Sequence, residues 1–259
     1  MILSSLLLRL SGTNRVLLTQ ILRLSLSHFF ATSTPWTFTQ WTRIVIHVND
    51  HYFSDSPHVP SDPRTYSYWA LGREWHVTTD AGVFSPTGLD KGTAVFLHKV
   101  PLIDLPAQSL AVDVGCGWGP ITLALAHSYP QAQVLACDVN ERAIALTEQN
   151  VAELGYTNVC VDLAPKMLDQ IAADITAGKH TGIDLLWSNP PIRIGKKALH
   201  ELLMQWLGLL SPNGVAFFVV QKNLGADSLA VWLNSQGYIT EKIGSAKGFR
   251  VLRTHQKQN

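Results

Sequence analysis

The chain has 259 residues, of which 46% are hydrophobic and 15% are charged, together with 18 glycines and 13 prolines. This composition excludes a disordered, collagen-like or coiled-coil protein. The three cysteines share no C-x-x-C spacing, which argues against a disulfide framework or a zinc knuckle and favours a reducing compartment. No apolar run approaches the roughly 18 residues that span a bilayer. The length fits one large domain with at most a small appendage.

The formal net charge of +1 conceals a strong segregation of charge along the chain. Residues 1–49 carry four arginines and no acid, residues 50–189 carry 7 basic and 16 acidic side chains, and residues 190–259 carry 9 basic and 3 acidic ones. Lys and Arg side chains near phosphates release condensed counterions, which favours binding. The basic last quarter is therefore a candidate contact for nucleic acid.

Residues 1–49 form an N-terminal extension, which we leave out of the fold prediction. Arg15 and Arg23 share one face of a predicted helix whose other face is rich in leucine, and an acid-free segment of this kind is typical of a mitochondrial presequence. We favour the alternative, an extension that is unstructured or not part of the natural fold, with the natural start near Val48. That alternative implies a cytoplasmic protein, and a presequence implies a mitochondrial one.

The rest of the chain divides into two regions. Residues 50–100 form a small β-containing region, with a hairpin of strands 65–71 and 74–79, a loop at 80–86 and a short helix at 92–100. Residues 101–259 alternate between strands and helices, and this pattern implies an α/β, doubly wound and mostly parallel sheet. The strands are predicted at 110–114, 134–137, 159–161, 183–187, 215–220, 238–243 and 249–254, and the helices at 120–128, 141–154, 165–175, 198–210 and 228–235. A Ser-Pro-Asn-Gly run at 211–214 is predicted to end the fourth of these helices.

A glycine-rich run, D-x-G-x-G-x-G at residues 113–119, follows the first strand of the larger region and opens a helix. Its spacing differs from the G-x-G-x-x-G of nicotinamide enzymes, and Asp113 would repel a pyrophosphate but attract an ammonium group. Asp138 and Asp162 end the next two strands, where carboxylates can bind a ribose and an adenine amino group. An amine, a ribose and an adenine without phosphate describe S-adenosylmethionine. The predicted cofactor site consists of Asp113, Gly115, Gly117, Gly119, Asp138 and Asp162.

An Asn-Pro-Pro-Ile run at residues 189–192 follows the fourth strand. Two prolines fix the backbone and remove two N–H donors, which leaves the Asn189 side-chain oxygen and the Pro190 carbonyl as acceptors. Two acceptors suit a planar NH₂ group and would turn its nitrogen lone pair toward a methyl donor, so that positioning supplies most of the rate. Considered alone, the run is equally compatible with a rigid turn. Beside the glycine run it predicts methyl transfer to an exocyclic or amide nitrogen, with Asn189 and Pro190 as catalytic residues.

The glycine run, Asp138 and residues 189–192 resemble, in order and spacing, the motifs of the class I S-adenosylmethionine-dependent methyltransferases. The resemblance covers roughly residues 50–254. It implies a Rossmann-like sheet of seven strands in the order 3-2-1-4-5-7-6, with strand 7 antiparallel. It also implies that Asp113 and Gly115 serve the methionine end of the cofactor, Asp138 the ribose and Asp162 the adenine.

Residues 189–196, which read N-P-P-I-R-I-G-K, are similar to the small-domain (MTS) methyltransferases, as are residues 51–54, 79–85 and 90–93. That group includes the guanine-N2 methyltransferases of small-subunit (16S) rRNA. The resemblance therefore implies guanine N2 as the methyl acceptor and rRNA or the small ribosomal subunit as the partner. Ile192 occupies a position where adenine- and glutamine-modifying relatives usually carry an aromatic residue, which disfavours those two substrates.

The remaining substrate contacts are predicted around the Asn-Pro-Pro loop. Without an aromatic residue at position 192, stacking on the target falls to Phe84 or Trp118, each with simple packing as the alternative. Arg193, Lys196 and Lys197 could bind phosphates, the alternative being a solvated helix start. The predicted substrate-binding residues are Phe84, Pro191, Ile192, Arg193 and Lys196.

Three other functions compete with this interpretation. The same fold could methylate a protein glutamine or another RNA amine. A nicotinamide oxidoreductase is disfavoured by the glycine spacing, and a non-catalytic RNA-binding protein is disfavoured by the intact Asn189. No metal is predicted, and no membrane association is predicted either.

Overall fold

The structure is a computed structural model and describes residues 59–257. The predictions for residues 1–49, including a start near Val48, lie outside the described residues. Within residues 59–257, no helix is long and apolar enough to cross a membrane.

A two-stranded antiparallel sheet, formed by β1 (Arg64–Ala70) and β2 (Arg73–Thr79), opens the described chain. The turn between the strands places Leu71 and Gly72 at positive φ, 51° and 75°, which matches the twist of a hairpin. The hairpin is thus the predicted one, with its turn one residue earlier. Trp75 of β2 is 1% exposed and anchors the hairpin in the core.

Seven strands form the second sheet: β3 (Leu110–Val114), β4 (Gln133–Asp138), β5 (Val159–Leu163), β6 (Ile183–Ser188), β7 (Leu210–Gln221), β8 (Tyr238–Ala246) and β9 (Phe249–Gln256). Their order is β5-β4-β3-β6-β7-β9-β8. The neighbours from β5 to β7 are parallel, and β9 is antiparallel to both β7 and β8. This arrangement confirms the predicted order 3-2-1-4-5-7-6 with an antiparallel seventh strand.

Helices lie on both faces of this sheet, because its central strands are apolar on both sides. In β3 all five residues are buried: Ala111 joins the hydrophobic cluster on one face, whereas Leu110, Val112 and Val114 join the cluster on the other. The helices are α1 (Lys91–Lys99), α2 (Pro120–Ser128), α3 (Glu141–Glu153), α4 (Ala164–Thr176), α5 (Lys196–Leu207) and α6 (Ala226–Ser235).

One predicted boundary is wrong. The helix expected at 198–210 begins at Lys196 and ends at Leu207, and residues 211–214 do not terminate it but lie within β7. The pairing of β6 with β7 skips these four residues, which form a bulge. Pro212 is tolerated there because a bulged residue needs no ladder hydrogen bond. The bulge is held by Ser211, whose hydroxyl donates to Asp184 Oδ1 at 2.8 Å.

The carboxyl ends of the parallel strands meet at one edge of the sheet, and both predicted loops lie at this edge. The glycine run connects β3 to α2, and the Asn-Pro-Pro run connects β6 to α5. β3 and β6 are neighbours in the sheet. From β3 the chain proceeds to β4 on one side, and from β6 it proceeds to β7 on the other, so this edge contains the topological switch point. Open α/β sheets bind their ligands at that point.

Candidate active site

The glycine turn is tied to the end of β4. The backbone N–H groups of Gly115 and Cys116 both donate to the Cys137 carbonyl, at 2.8 and 2.9 Å. Gly115 and Gly117 have φ values of +82° and +59°, a region that side chains disfavour. A Cβ atom on either glycine would meet nothing within 4 Å, whereas one on Gly119 would press on α3. The first two glycines therefore line an open cradle, and the third serves packing.

Asp113 lies beneath this turn and is fully buried. Its Oδ2 accepts a hydrogen bond from the Thr122 hydroxyl at 2.6 Å, while Oδ1 has no partner among residues 59–257. Burial, reinforced by the neighbouring negative charge of Asp138, raises the pKa of Asp113 to about 7. The carboxyl group is thus held behind the turn rather than on its surface.

Two further acids end the adjacent strands, as predicted. Asp138 is half-buried; its Oδ2 accepts from the Gly117 N–H at 3.0 Å, and its Oδ1 accepts from the next two backbone N–H groups at 2.7 and 3.0 Å. Asp162 is more open and pairs with Lys166 at 3.4 Å. Asp113, Asp138 and Asp162 therefore follow one another along three neighbouring strands, on the side of the edge that carries the glycine cradle.

The Asn-Pro-Pro loop is fastened beside the cradle. The Ser188 hydroxyl donates to the Val114 carbonyl at 2.6 Å, which joins the end of β6 to the residue before the glycine turn. Asn189 Nδ2 donates to Asp90 Oδ2 at 3.1 Å and to Thr93 Oγ1 at 3.0 Å. Its Oδ1 has no partner in the described part of the chain. The loop thus presents the amide oxygen of Asn189, an acceptor, next to the cradle.

The second predicted acceptor is partly engaged within the loop. The Pro190 carbonyl accepts from the Ile192 N–H at 2.8 Å, which leaves one of its two lone pairs for another donor. Pro190 itself is buried and Pro191 is exposed. Ile192 is half-buried and packs on the hydrophobic cluster below the loop. Its side chain therefore supports the loop and is not a surface on which a base could stack. Arg193, Lys196 and Lys197 follow with exposed side chains.

The interpretation of Trp118 as a ring that stacks on the substrate is wrong, and its packing alternative is the one observed. Trp118 is 2% exposed, because the rings of Tyr66 and Tyr68 from the hairpin pack edge-on against it, with ring centroids 6.3 and 5.7 Å from that of Trp118. Its indole N–H donates to the Ser85 carbonyl at 3.2 Å. The packing alternative for Phe84 is also wrong, since that side chain is 63% exposed.

Phe84 is carried by a loop that is anchored on both sides. Asn140 Nδ2 donates to the Gly82 carbonyl at 2.8 Å, and Thr79 Oγ1 donates to the Pro86 carbonyl at 2.8 Å. Together with the Trp118 bond to Ser85, these contacts fix the loop against the cofactor side of the edge. The exposed ring of Phe84 is therefore held by a supported backbone.

Three polar residues near the site were missed by the sequence interpretation. Asp90 and Thr93 hold Asn189, and Asn150, which is fully buried, donates to the carbonyls of Trp118 and Thr78 at 2.8 and 2.9 Å. Asp90 begins α1 as its N-cap, and Asp90 and Thr93 lie in the segment 90–93 that resembles the small-domain methyltransferases, but neither signal points to a contact with Asn189. No group of three or more His, Cys, Asp or Glu side chains within residues 59–257 is arranged to hold a metal ion.

Comparison with known proteins agrees with this geometry. The model of the methyltransferase small domain family matches residues 74–253. The chain belongs to this family. It is therefore an S-adenosylmethionine-dependent methyltransferase, as its seven-strand order also indicates. An uncharacterised protein of Bacillus subtilis, YbxB, is 30% identical over 206 residues, a match that covers 80% of this chain and 98% of that protein.

Two further relatives carry descriptive names. The ribosomal RNA small subunit methyltransferase C of Pasteurella multocida is 30% identical over 155 residues, covering 58% of this chain and 43% of that protein. The fold also resembles that of the T. thermophilus 16S rRNA N2 G1207 methyltransferase, solved in complex with AdoMet and guanosine, with a TM-score of 0.55 and 19% identity over 79% of this chain and 53% of that one. The chain thus spans about half the length of these two named methyltransferases.

Proposed function

We propose that this methyltransferase modifies an exocyclic amine, and specifically the N2 atom of a guanine in small-subunit rRNA. The observation that carries the proposal is the arrangement of Asn189. Both hydrogens of its amide are engaged, by Asp90 and Thr93, so the atom left for a substrate is the oxygen. An acceptor beside the glycine cradle suits an NH₂ group, which has hydrogens to donate.

The residues around the cradle fit S-adenosylmethionine. Gly115 and Gly117 leave open space where a ligand can approach the backbone of the turn, and the nearby carboxylates disfavour a phosphate. We assign Asp138 to the ribose hydroxyls and Asp162 to the adenine. The Asp113 carboxyl, behind the turn, would favour the ammonium group of the methionine end through its field rather than by contact. When bound, the cofactor supplies an activated methyl group.

The role of the protein in transfer is to orient the amine. One amine hydrogen would be accepted by Asn189 Oδ1 and the other by the free lone pair of the Pro190 carbonyl. With both hydrogens held, the nitrogen lone pair points toward the methyl group, and an in-line displacement follows without a strong base. The proton released afterwards can leave to solvent, because Asn189 is only half-buried.

Charge at the same edge supports a nucleic acid as the substrate. Arg193, Lys196 and Lys197 are exposed beside the Asn-Pro-Pro loop. Farther along the edge, Lys222 and Lys247 are exposed at the end of β7 and in the turn between β8 and β9, which are joined by a 2.8 Å hydrogen bond from Lys222 N to the Gly248 carbonyl. Exposed cations spread along one edge can bind successive phosphates of RNA.

The choice of guanine N2 is supported by the names of the relatives and by Phe84. A paired guanine must leave its stack before its amine can reach an enzyme, and an exposed aromatic ring can stack on the extruded base. Phe84 is the ring that the anchored loop offers. The relatives named above are bacterial proteins, and bacterial rRNA lies in the cytoplasm, so we place the reaction there.

The test is a comparison of methylated nucleosides in rRNA from cells with and without the gene. We expect one N2-methylguanosine of the small-subunit rRNA to disappear with the gene. It should return when the wild-type gene is restored, but not when the Asn189→Ala gene is. An unchanged rRNA modification pattern, with loss of a methylated protein glutamine instead, would overturn the assignment of the substrate.

A further inference from the structure

We infer that Asp90 and Thr93 are positioning residues that determine which end of the Asn189 amide faces the substrate. The inference rests on the proposed methylation of an amine at Asn189 and adds to it the residues that make Asn189 an acceptor. Both lie on a different segment from Asn189, about one hundred residues earlier in the chain, and act through it.

The geometry allows only one orientation of the amide. A carboxamide has two ends of nearly the same shape but opposite chemistry, since its oxygen accepts and its NH₂ group donates. Asp90 Oδ2 and Thr93 Oγ1 lie 3.1 and 3.0 Å from Asn189 Nδ2, so each of its two hydrogens has an acceptor. A carboxylate cannot donate, and a rotated amide would therefore set two acceptor oxygens against each other. The pair excludes the orientation in which Asn189 offers its NH₂ group.

The orientation matters because the proposed substrate is itself an NH₂ group. A rotated Asn189 would bring donor against donor, and the amine hydrogens would not be held. Without Asp90 and Thr93, Asn189 could adopt both orientations, and only a fraction of the bound complexes would be productive. Turnover would fall to the productive fraction of its wild-type value. Binding of the cofactor, which is assigned to other strands, would not change.

The start of α1 makes the pair rigid. Asp90 is the N-cap of this helix, and its Oδ2 also accepts from the Thr93 N–H at 3.0 Å. Thr93 is 4% exposed. Between them, Gly92 leaves no room for a side chain, because a Cβ there would lie 2.8 Å from Asp90 Oδ2 and 2.9 Å from the Phe249 ring. The acceptors are thus fixed by a capped helix packed against β9.

Two pairs of variants separate this role from simple stabilisation. Asp90→Ser keeps a good N-cap residue but is too short to reach Asn189, whereas Asp90→Asn keeps the cap and the reach but gains an NH₂ group that can donate to a rotated amide. Thr93→Val keeps the shape and removes the hydroxyl, and Thr93→Ser restores it. Thr176→Val is the matched control. It removes a threonine hydroxyl that makes one hydrogen bond, to the Ala172 carbonyl of its own helix, on the exposed surface of α4.

The first measurement needs no substrate. In the full chain labelled with ¹⁵N-asparagine, the side-chain NH₂ signal of Asn189 is the one that disappears in Asn189→Ala. We expect its protons to exchange with solvent at least about tenfold faster in Asp90→Ser and Thr93→Val than in the wild type, and at an unchanged rate in Thr176→Val. Unchanged exchange in the first two variants would overturn the inference.

The second measurement is kinetic, with rRNA from cells lacking the gene as the methyl acceptor. Asp90→Ser, Asp90→Asn and Thr93→Val should each lower kcat at least about twofold, the loss expected when both orientations are equally populated, with the affinity for S-adenosylmethionine unchanged, and Thr93→Ser should retain most of the wild-type kcat. In an Asn189→Ala background none of the three should lower kcat further, because the group they orient is gone. Losses that multiply instead would mean a structural role and would overturn the inference. If the wild-type protein does not methylate rRNA but its Asn189 amide protons exchange slowly, the proposed substrate is refuted. The orientation of Asn189 by Asp90 and Thr93 is then still supported.

Discussion

The carboxyl edge of the sheet divides at the boundary between β3 and β6 into two halves with opposite chemistry. In the half formed by β3, β4 and β5, each strand ends in or near an acid: Asp113, Asp138 and Asp162. In the half formed by β6, β7 and the β8–β9 turn, the strand ends carry an amide, two prolines and exposed cations. The strands next to the boundary, β3 and β4 on one side and β6 and β7 on the other, all have buried apolar interiors. The two halves therefore share the same strand architecture. The residues at the end of each strand, or just after it, determine which ligand each half can bind.

The two halves also differ in how their polar groups are held. On the acidic side, Asp138 and Asp162 accept from backbone N–H groups that directly follow them, and Asp138 also accepts from Gly117 N of the neighbouring glycine turn. On the amide side, Asn189 is held by side chains from a distant helix, Asp90 and Thr93. A ligand hydroxyl can adapt to a carboxylate that has four lone-pair sites, whereas an amide must be oriented to act as an acceptor. The predictions below test this division.

The largest effect is expected on the acidic side. Asp138→Ala removes the proposed partner of two ribose hydroxyls and also the acceptor for Gly117 N–H, so we expect the affinity for S-adenosylmethionine to fall about 10³-fold. Isothermal titration calorimetry measures the change. Asp162→Ala is the internal comparison: its side chain is 43% exposed and already paired with Lys166, so the loss should be nearer tenfold. Equal affinity of Asp138→Ala and the wild type would place the cofactor elsewhere.

A change on the amide side should leave the cofactor in place. Asn189→Ala removes the acceptor for the substrate amine, and we expect kcat to fall about 10²-fold or more at unchanged affinity for S-adenosylmethionine. The control is Asn234→Ala, at the far end of α6, where the side chain bonds the Ala230 and Thr240 carbonyls and turnover should not change. If Asn189→Ala turned over at the wild-type rate, Asn189 would have no part in the reaction, and the division into two halves would lose its functional meaning.

The elements of the sheet could be predicted because they depend on local pattern. The β3 strand and the α2 helix agree with the predicted bounds to the residue, since a wholly apolar run and a proline in the first helical turn are unambiguous. The start of β7 could not be predicted in this way. The composition of Ser-Pro-Asn-Gly is equally typical of a helix end and of a bulge. The pairing of Ile183 with Leu210 and of Leu185 with Val215 shows that it is a bulge.

The site was predictable only where its residues lie at the end of a strand or follow it directly. The three acids and Asn189 satisfy that condition. The burial of Trp118 depends instead on Tyr66 and Tyr68, some fifty residues away, and the clamp on Asn189 depends on Asp90, nearly one hundred residues away. Local pattern contains no information about such contacts. Long-range packing also decides that Phe84, and not Trp118, keeps an exposed ring.

That ring provides a smaller test, on the cofactor side of the edge. Phe84→Ala removes the proposed stacking surface, and we expect KM for the RNA to rise about tenfold with kcat little changed. Trp69→Ala is the matched control, because Trp69 is an equally isolated aromatic residue of the hairpin, 71% exposed. Steady-state kinetics with rRNA from cells lacking the gene distinguish the two. A similar rise in KM for both variants would indicate general contact with RNA and no specific stacking at Phe84.

The smallest effect on turnover is expected at Asp113, the one acid of its half that is fully buried. Burial raises the pKa of its carboxyl to about 7 from an ordinary value of 3.8, so the group is about half protonated at neutral pH, and Asp113→Asn should disturb catalysis little. Asparagine also keeps an acceptor for Thr122. The distinctive consequence concerns the free energy of unfolding. Between about pH 4 and pH 7 the folded state binds more protons at this group than the unfolded state does.

Stability contributed by the protonated Asp113 is therefore complete below about pH 4, is lost as the pH rises through about 7 and does not change further above that value. Asp113→Asn cannot lose a proton, so its unfolding midpoint in urea, relative to the wild type, should increase steadily across this window and level off above it. The difference between the two proteins therefore reports on the site of Asp113. A difference that stays constant from pH 4 to pH 8 would mean that the carboxyl is solvated, and the acidic half would then consist of three surface charges with no buried member behind the glycine turn.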